Sequence, residues 1–486
     1  MNNNQKLRLA VSVTTLATAA AAHAEVPAAI SNFLEADAPF KTNFDLAGHS
    51  TDFQFYGIID LAYGHATHAL DINDNLPQGF YPGLRQSAKF SQSRSDWFSG
   101  GLSQNRVGIK AASSLFQLRN GSDVKAVLNL ETGFNPLGFD LYNGAKSLVE
   151  NSGNGSANIP YPLQNQSISN ESSQNGQLFN RLANAGFSNE NLGTITFGLN
   201  TNTFKDILLA YDPVNADNFS ALGQSGTIGG SGGVSENQRL QNSLKYTNSV
   251  VLPSSFPLEN ASINVGAVYQ WGNDINTNYG YAYATQIGLE SKFVGIQAGY
   301  NRFSDAISAQ NSTTTGDISA NAYNTHAWLL ALRVNPTPEL KISGGWERFT
   351  REYATDQNIQ YGDLWGYNLD NSGKITSKYS AGEHQDSNVF FLGAGYDIGA
   401  RFPEVSGLKV QAGFYDYLSG QGNKATGTPD SSLRGRAATW AGVVDYQINK
   451  RFDFYVAYTN TNFSGAYYSG YDKEQAVVAT GLRLKF

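Results

Sequence analysis

FQFYGIIDLAY (53–63) is the stretch on which the fold turns. Phe53, Phe55, Gly57, Ile59, Leu61 and Tyr63 fall on one side of an extended chain, and Gln54, Tyr56, Ile58, Asp60 and Ala62 on the other. Successive side chains of a strand point to opposite faces, so a period of two marks a strand that meets two different environments. The alternation recurs in DVKAVLNLETGF (123–134), SINVGAVYQW (262–271), WLLALRV (328–334) and AVVATGLRLKF (476–486).

Carried along the chain, the pattern predicts strands near 52–64, 104–113, 123–134, 178–188, 193–200, 240–248, 260–271, 281–291, 293–302, 325–334, 338–349, 386–398, 406–417, 436–448, 452–463 and 474–486. That is an even set of sixteen, each about as long as a tilted transmembrane strand. The connections alternate. Short ones carry turn residues, such as Asn120-Gly121, Asn335-Pro336, Ser406-Gly407 and Asn449-Lys450. Long ones run over 65–103, 135–177, 201–239, 303–324, 350–385 and 418–435. Short turns at one end and long loops at the other are the habit of a transmembrane barrel. The expected fold is all-β, a closed antiparallel barrel. In hydrocarbon every backbone polar group must pair within the protein, so a strand protein spans only when closed. Tyr56, Tyr63, Phe134, Tyr269, Trp271, Tyr300, Tyr396, Trp440, Tyr446 and Tyr458 are expected in interfacial girdles.

Composition agrees. The chain holds 50 Gly, 26 Tyr and 28 Phe, with 15% charged residues, one Met and no Cys. No thiol nucleophile, thiolate metal site or disulfide is available. Mean hydropathy is −0.34, since alternating faces cancel in any average. Lys6 and Arg8, the apolar run Leu9–Ala22 and the Ala22-His23-Ala24 site read as a signal peptide cut before Glu25, too short for a membrane anchor. The expected divisions are 1–24 signal, 25–51 a segment ahead of the barrel, and 52–486 the barrel. Ile30, Phe33 and Leu34 give the second of these helical spacing. The formal net charge of −7 becomes −9 without Lys6 and Arg8, which argues against a nucleic-acid partner. No cofactor or metal motif is present: His65 and His68 are too few for a metal, and no G-x-S-x-G or P-loop lysine occurs. An enzyme is not expected.

The segments QNRVGIKA (104–111), DVKAVLNLETGFNP (123–136), LFNRLANAGFSNENLGTITFGLN (178–200), YQINKRFDFYVAY (446–458) and ATGLRLKF (479–486) resemble general bacterial porins of the β-proteobacterial type. The likeness is strongest over the first six strands and the last three. It implies an outer-membrane homotrimer of sixteen-stranded barrels in contact with lipid, through which small hydrophilic solutes and ions diffuse. It also implies a third external loop folded into the lumen. Phe486, after Leu482 and Leu484, resembles the C-terminal signal read by the outer-membrane assembly machinery.

Within Thr201–Arg239, Phe204, Ile207, Leu208 and Tyr211 recur at helical spacing, Asp206, Asp212 and Asp217 accompany them, and Pro213 breaks the run. Gly229 to Gly233 would let the chain return. These carboxylates are candidates for the acidic edge of a constriction, Asp206 foremost. The resemblance assigns Arg106, Arg181 and Arg239 to the basic edge, and Lys110 and Lys245 share the inward parity. The Pro-Glu-Phe-Gly-Gly turn of enteric members is absent, and Asn184 falls at an outward parity where the family prefers an apolar residue. The acidic chain draws cations to the mouth while the basic ladder favours anions at the neck, so the two pull ion preference in opposite directions. A channel selective for sugars or organic acids, and an adhesive or structural barrel suggested by the Asn/Ser/Gly-rich stretch 150–176, are the alternatives.

Overall fold

The computed structural model describes residues 40–67, 93–138, 140–141, 178–215, 219–224, 239–271, 281–304, 308–309, 320–321, 324–352, 368–369, 375–377, 384–423, 429–430, 434–465 and 473–486. The expected signal peptide, Ile30, Phe33, Leu34, His68, Asp217 and Gly229–Gly233 lie outside the described residues.

Sixteen strands close one antiparallel barrel. The first four are β1 (His49–Ala66), β2 (Arg94–Ser99 resuming at Arg106–Gln117), β3 (Asp123–Asn135) and β4 (Leu182–Asn189). Next come β5 (Gly193–Thr201), β6 (Arg239–Val251), β7 (Ser262–Gln270) and β8 (Tyr281–Glu290). β9 (Val294–Ser304), β10 (Asn324–Thr337), β11 (Leu340–Glu352) and β12 (His384–Asp397) follow. β13 (Leu408–Asn423), β14 (Gly435–Gln447), β15 (Phe452–Gly465) and β16 (Glu474–Lys485) complete the wall. Each strand pairs with its sequence neighbours, and β1 closes on β16 from Ile58↔Lys485 to Ala66↔Val477. The short turns carry side-chain caps. Asn189 accepts from the amides of Asn191 and Leu192 at 3.0 Å each, and Asn449 accepts from Arg451 and Phe452 at 2.8 and 2.9 Å.

Parity sorts the faces as the sequence suggests. Ile287, Trp328, Leu330, Leu332, Leu392 and Trp440 are exposed on the outer face. Aromatic pairs join neighbouring strands there: Tyr63 and Trp97 at 5.5 Å between centroids, Tyr300 and Trp328 at 4.5 Å.

Several expectations are corrected. Tyr56 is not in a girdle, because it turns inward and donates to Glu131. Asn184 also faces inward: it is buried, accepts from Asn129 Nδ2 at 2.9 Å, and shares its face with Gly186 and Ser188 while Ala185 and Phe187 are exposed. Residues 94–99 belong to β2 and not to the first external loop. Lys41–Leu46 is a strand, hairpinned onto the start of β1 from Leu46↔His49 to Lys41↔Gln54. It occupies the β1 edge that β16 does not reach. Phe486 marks the junction: its amide and carbonyl pair with Gly57, and its ring meets Phe40 and Phe55 at 6.1 and 5.7 Å. The Gly57 position admits that ring, since a Cβ there would lie 2.7 Å from Phe486 Cε2.

The inner wall is not uniformly polar. Leu329, Phe349, Val389, Phe391, Tyr415, Tyr417, Val443, Tyr455 and Phe463 are buried on the inner faces of β10 to β15 and join one apolar cluster. Their cluster includes Phe204, Ile207, Leu208 and Tyr211 of the segment that follows β5. Outward residues remain in lipid. Leu330→Arg at the middle of β10 is expected to destabilise the folded barrel by about 2–4 kcal/mol, read by chemical unfolding in detergent or bilayer, while Leu330→Phe stays within about 1 kcal/mol.

Candidate functional site

The segment after β5 forms helix α1, Thr203–Tyr211. Asn202 caps it, its side chain accepting from the Phe204 amide at 2.9 Å, and Pro213 ends it one residue past Asp212. The predicted apolar face is the buried one: Phe204, Ile207, Leu208 and Tyr211. It packs on β8, β9 and β10, on the side that carries Gln297, Asn301 and Glu290, opposite the exposed Ile296 and Trp328. Burying four such side chains stabilises the contact by at most about 6–12 kcal/mol. Glycine makes the approach possible. A Cβ on Gly299 would sit 2.7 Å from the Ile207 Cδ1, and one on Gly393 would sit 2.6 Å from Pro213 Cβ.

Polar bonds fix the far end of α1. Tyr211 donates to Glu290, which also accepts from Gln297 at 3.0 Å and pairs with Arg333 at 2.5 Å. Asp212 is fully buried; it accepts from Tyr415 Oη at 2.6 Å, from the Val214 amide at 2.9 Å and from Ser220 Oγ. Burial pushes its pKa up against the pull of those hydroxyl donors. Lys341 Nζ lies 3.4 Å from both the Asp212 carbonyl and Asn215 Oδ1. Asp212 is thus a buried anchor, and it does not face a water path.

Across from the start of α1 the wall carries positive charge. Arg181 precedes β4 rather than lying in it. Asn180 bonds both backbone groups of Gly133, at 2.6 and 3.1 Å, and bends the chain so that Arg181 turns inward. Its Nε meets Glu131 Oε1 at 2.6 Å, and Nη1 donates to Gln104 Oε1. Arg106 Nε lies 3.5 Å from the other Glu131 oxygen, and Arg106 Nη1 donates to the Gln104 carbonyl at 3.2 Å. Tyr56 Oη donates to Glu131 at 2.9 Å, and Lys110 Nζ stands 4.8 Å above the Tyr56 ring. Arg239, buried at the start of β6, acts electrostatically on Glu131. Lys205 of α1 joins the cluster. Burial, with the charges of Arg239 and Arg181, holds its pKa well below the ordinary lysine value.

The structure thus brings Arg106 and Arg181 together on Glu131, with Lys110 beside Tyr56. Lys245 and Asp206 meet each other instead, at 2.5 Å, with Thr201 Oγ1 2.7 Å from the same ammonium. Glu131, Gln104, Tyr56 and Lys205 were missed. Glu131 was readable in principle: it shares the inward parity of β3 and stands across the hairpin from Gly108, two residues from Arg106. Lys205 lies off the strands, where parity is silent; Gln104 begins the expected strand 104–113 at the parity of Arg106, but precedes the observed one and carries no charge to mark it.

A model of the Gram-negative porin family matches residues 9–466. The chain belongs to that family. This porin is an outer-membrane β-barrel that forms a water-filled channel for passive diffusion of small hydrophilic solutes and ions, a channel rather than an enzyme. Among solved structures it is similar to an anion-selective porin from Comamonas acidovorans, at 15% identity over 90% of this chain and 100% of that one, with a TM-score of 0.55. It also matches OmpT of Vibrio cholerae in a trimer form, at 12% identity over 90% and 99% of the two chains, TM-score 0.48. A comparison with the curated proteins finds no match.

Glu131 is the only acid within ion-pairing distance of Arg181 and Arg106 among the described residues, and the side chains of Arg181 and Glu131 are 8% and 9% exposed. Glu131→Leu leaves two guanidinium charges poorly compensated and is expected to cost about 3–5 kcal/mol of stability, measured by chemical unfolding. A double-mutant cycle with Arg181→Met is expected to recover much of that loss. Additive losses would mean the pair does not interact.

Proposed function

We propose that the third external loop narrows this porin's channel, and that its neck favours small anions. Arg106, Arg181 and Arg239 form the cationic side, with Lys110 as an extension. Lys245 belongs to the neck but is matched by Asp206, and Asp212 serves as the loop's anchor. Among the described residues the acidic edge is weak, since Asp206 is engaged by Lys245 and Asp212 is buried. The observation that carries this reading is the meeting of Arg181 and Arg106 on the single carboxylate Glu131, at 2.6 and 3.5 Å. Guanidinium groups keep their charge in a partly dry wall, and a narrow charged ring selects by sign more strongly than a wide acidic mouth does.

Selective passage of organic acids is the second reading. Leu209 is 44% exposed on α1, one turn from Lys205, and supplies an apolar surface next to the cationic cluster. Saturable block of chloride current by short-chain carboxylates would favour it over unselective diffusion. We further read the porin as a homotrimer, with Phe486 acting as the assembly signal before the Phe40 and Phe55 rings cover it.

Neutralising Arg106 and Arg181 together to Ser is expected to move the reversal potential in a salt gradient toward cation preference, by about twofold or more in the permeability ratio; an unchanged potential would remove both from the neck. Unheated gels and crosslinking are expected to give a trimer, and bands that stay monomeric would overturn that assignment.

A further inference from the structure

The break in β2 is large and directed. Between the Leu61↔Ser99 and Ile58↔Arg106 pairs, two residues of β1 (Ile59 and Asp60) face six of β2, 100–105. The four surplus residues do not bulge into lipid. They meet inward-facing side chains, and the Gly100 amide donates to the Asp60 carbonyl at 2.8 Å. Gly101, Leu102 and Ser103 direct their amides at the Asp60 carboxylate, at 3.1, 2.9 and 2.7 Å. Tyr455 Oη of β15 donates to the same carboxylate at 2.6 Å. Asn105 Oδ1 accepts from the Asp60 amide, and Asn105 Nδ2 donates to Ser99 Oγ at 2.7 Å. Arg483 Nη1 of β16 donates to Ser103 Oγ at 2.8 Å. Leu102 is buried in the apolar cluster that also holds α1. Glycine is required for this path: Gly100 has φ +74°, and a Cβ on Gly101 would sit 2.8 Å from the Tyr455 ring carbon Cζ and 2.9 Å from Ala62 Cβ.

The inward segment presents one residue to the cationic cluster. Gln104 accepts Arg181 on its side chain and Arg106 on its carbonyl. A neutral group that accepts from two neighbouring guanidiniums holds them apart and in place without cancelling their charge.

We propose that Asp60 is a positioning residue for ion selectivity: it gathers the backbone of 100–105 onto the inner wall as a second constricting element, and Gln104 on that element sets Arg106 and Arg181 in the neck. The carboxylate works as the anchor of a small amide nest, a motif that binds anions because several N–H groups converge on one concavity. Here the anion is a side chain of the adjacent strand. Asp60 does not touch the passing solute. This inference rests on the cationic-neck reading above and adds a second element to it, distinct from the third loop.

The test uses the full mature barrel, refolded and reconstituted in planar bilayers under a potassium chloride gradient. Deleting 100–103 leaves two residues opposite two, so β2 runs unbroken and the barrel still closes. Single-channel conductance is expected to rise and the anion-over-cation permeability ratio to fall by about twofold or more. Asp60→Asn, whose amide nitrogen is repelled by the three backbone donors, is expected to move both readouts in the same direction. Gln104→Ala keeps the Asp60 bonds and is expected to lower the permeability ratio with little change in conductance; it decides the matter alone if the other variants fail to fold. A purely structural role for Asp60 would alter unfolding and leave the reversal potential of folded channels where it was. Wild-type conductance and reversal potential in the deletion and in Gln104→Ala would overturn the proposal. If Arg106→Ser with Arg181→Ser shifts the potential while these variants do not, only the second element fails. If neither shifts it, the cationic-neck reading fails first.

Discussion

The nine residue pairs that join β1 to β16 are the constraint on which the rest of the structure depends. Inside a bilayer an unpaired strand edge exposes a row of N–H and C=O groups to hydrocarbon, at several kcal/mol for each. Closing the sheet removes both edges at once. The closure is incomplete over the first residues of β1, and there Lys41–Leu46 supplies the missing partner. Phe486, Phe40 and Phe55 seal the point where one partner gives way to the other.

Once the wall is closed, its inner face governs function. Six of the sixteen strands, β10 to β15, are apolar enough on that face to act as a seat, and α1 lies at its edge on β8, β9 and β10 with its own apolar face buried. The Tyr211–Glu290–Arg333 and Asp212–Tyr415–Ser220 contacts fix the end of the seat. Arg106, Arg181, Arg239 and Glu131 lie on or beside β2, β3, β4 and β6. The apolar contacts that fix the loop and the charged cluster thus lie on different arcs of one cylinder, and the proposed selection of solutes falls to the second.

Much of this could be read from the chain. Period-two alternation located all sixteen strands, because lipid tolerates only apolar side chains at outward positions and so imposes the pattern directly. Helix α1 was legible from Phe204, Ile207, Leu208 and Tyr211, and the inward direction of Arg106 and Arg181 from their likeness to porin positions. What was missed lies where the strand rule lapses. Arg181 precedes β4, so extending the parity of β4 back to it put Asn184 on the wrong face. Tyr56 has an aromatic ring but a buried acid within reach of its hydroxyl, and the hydrogen bond decides its direction. Inward Leu329, Phe391 and Tyr417 look like lipid-facing residues to any reading that assumes a wet lumen. The six residues 100–105 have no period at all; their place is set by a carboxylate forty residues earlier in the chain, which only the folded structure brings to them.

Because the native sequence contains no cysteine, single cysteines provide a clean probe of the geometry on which all of this stands. Introduced in turn at Lys110, Gln286, Ile287, Leu330 and Leu392 and probed with a membrane-impermeant thiol reagent in lipid bilayers, they should divide by face. Positions 110 and 286 should label from water, and 287, 330 and 392 should resist labelling and instead be quenched by brominated lipid when carrying a fluorophore. Equal labelling at both parities would contradict the barrel's division into an oily outside and an aqueous inside, and the channel with it.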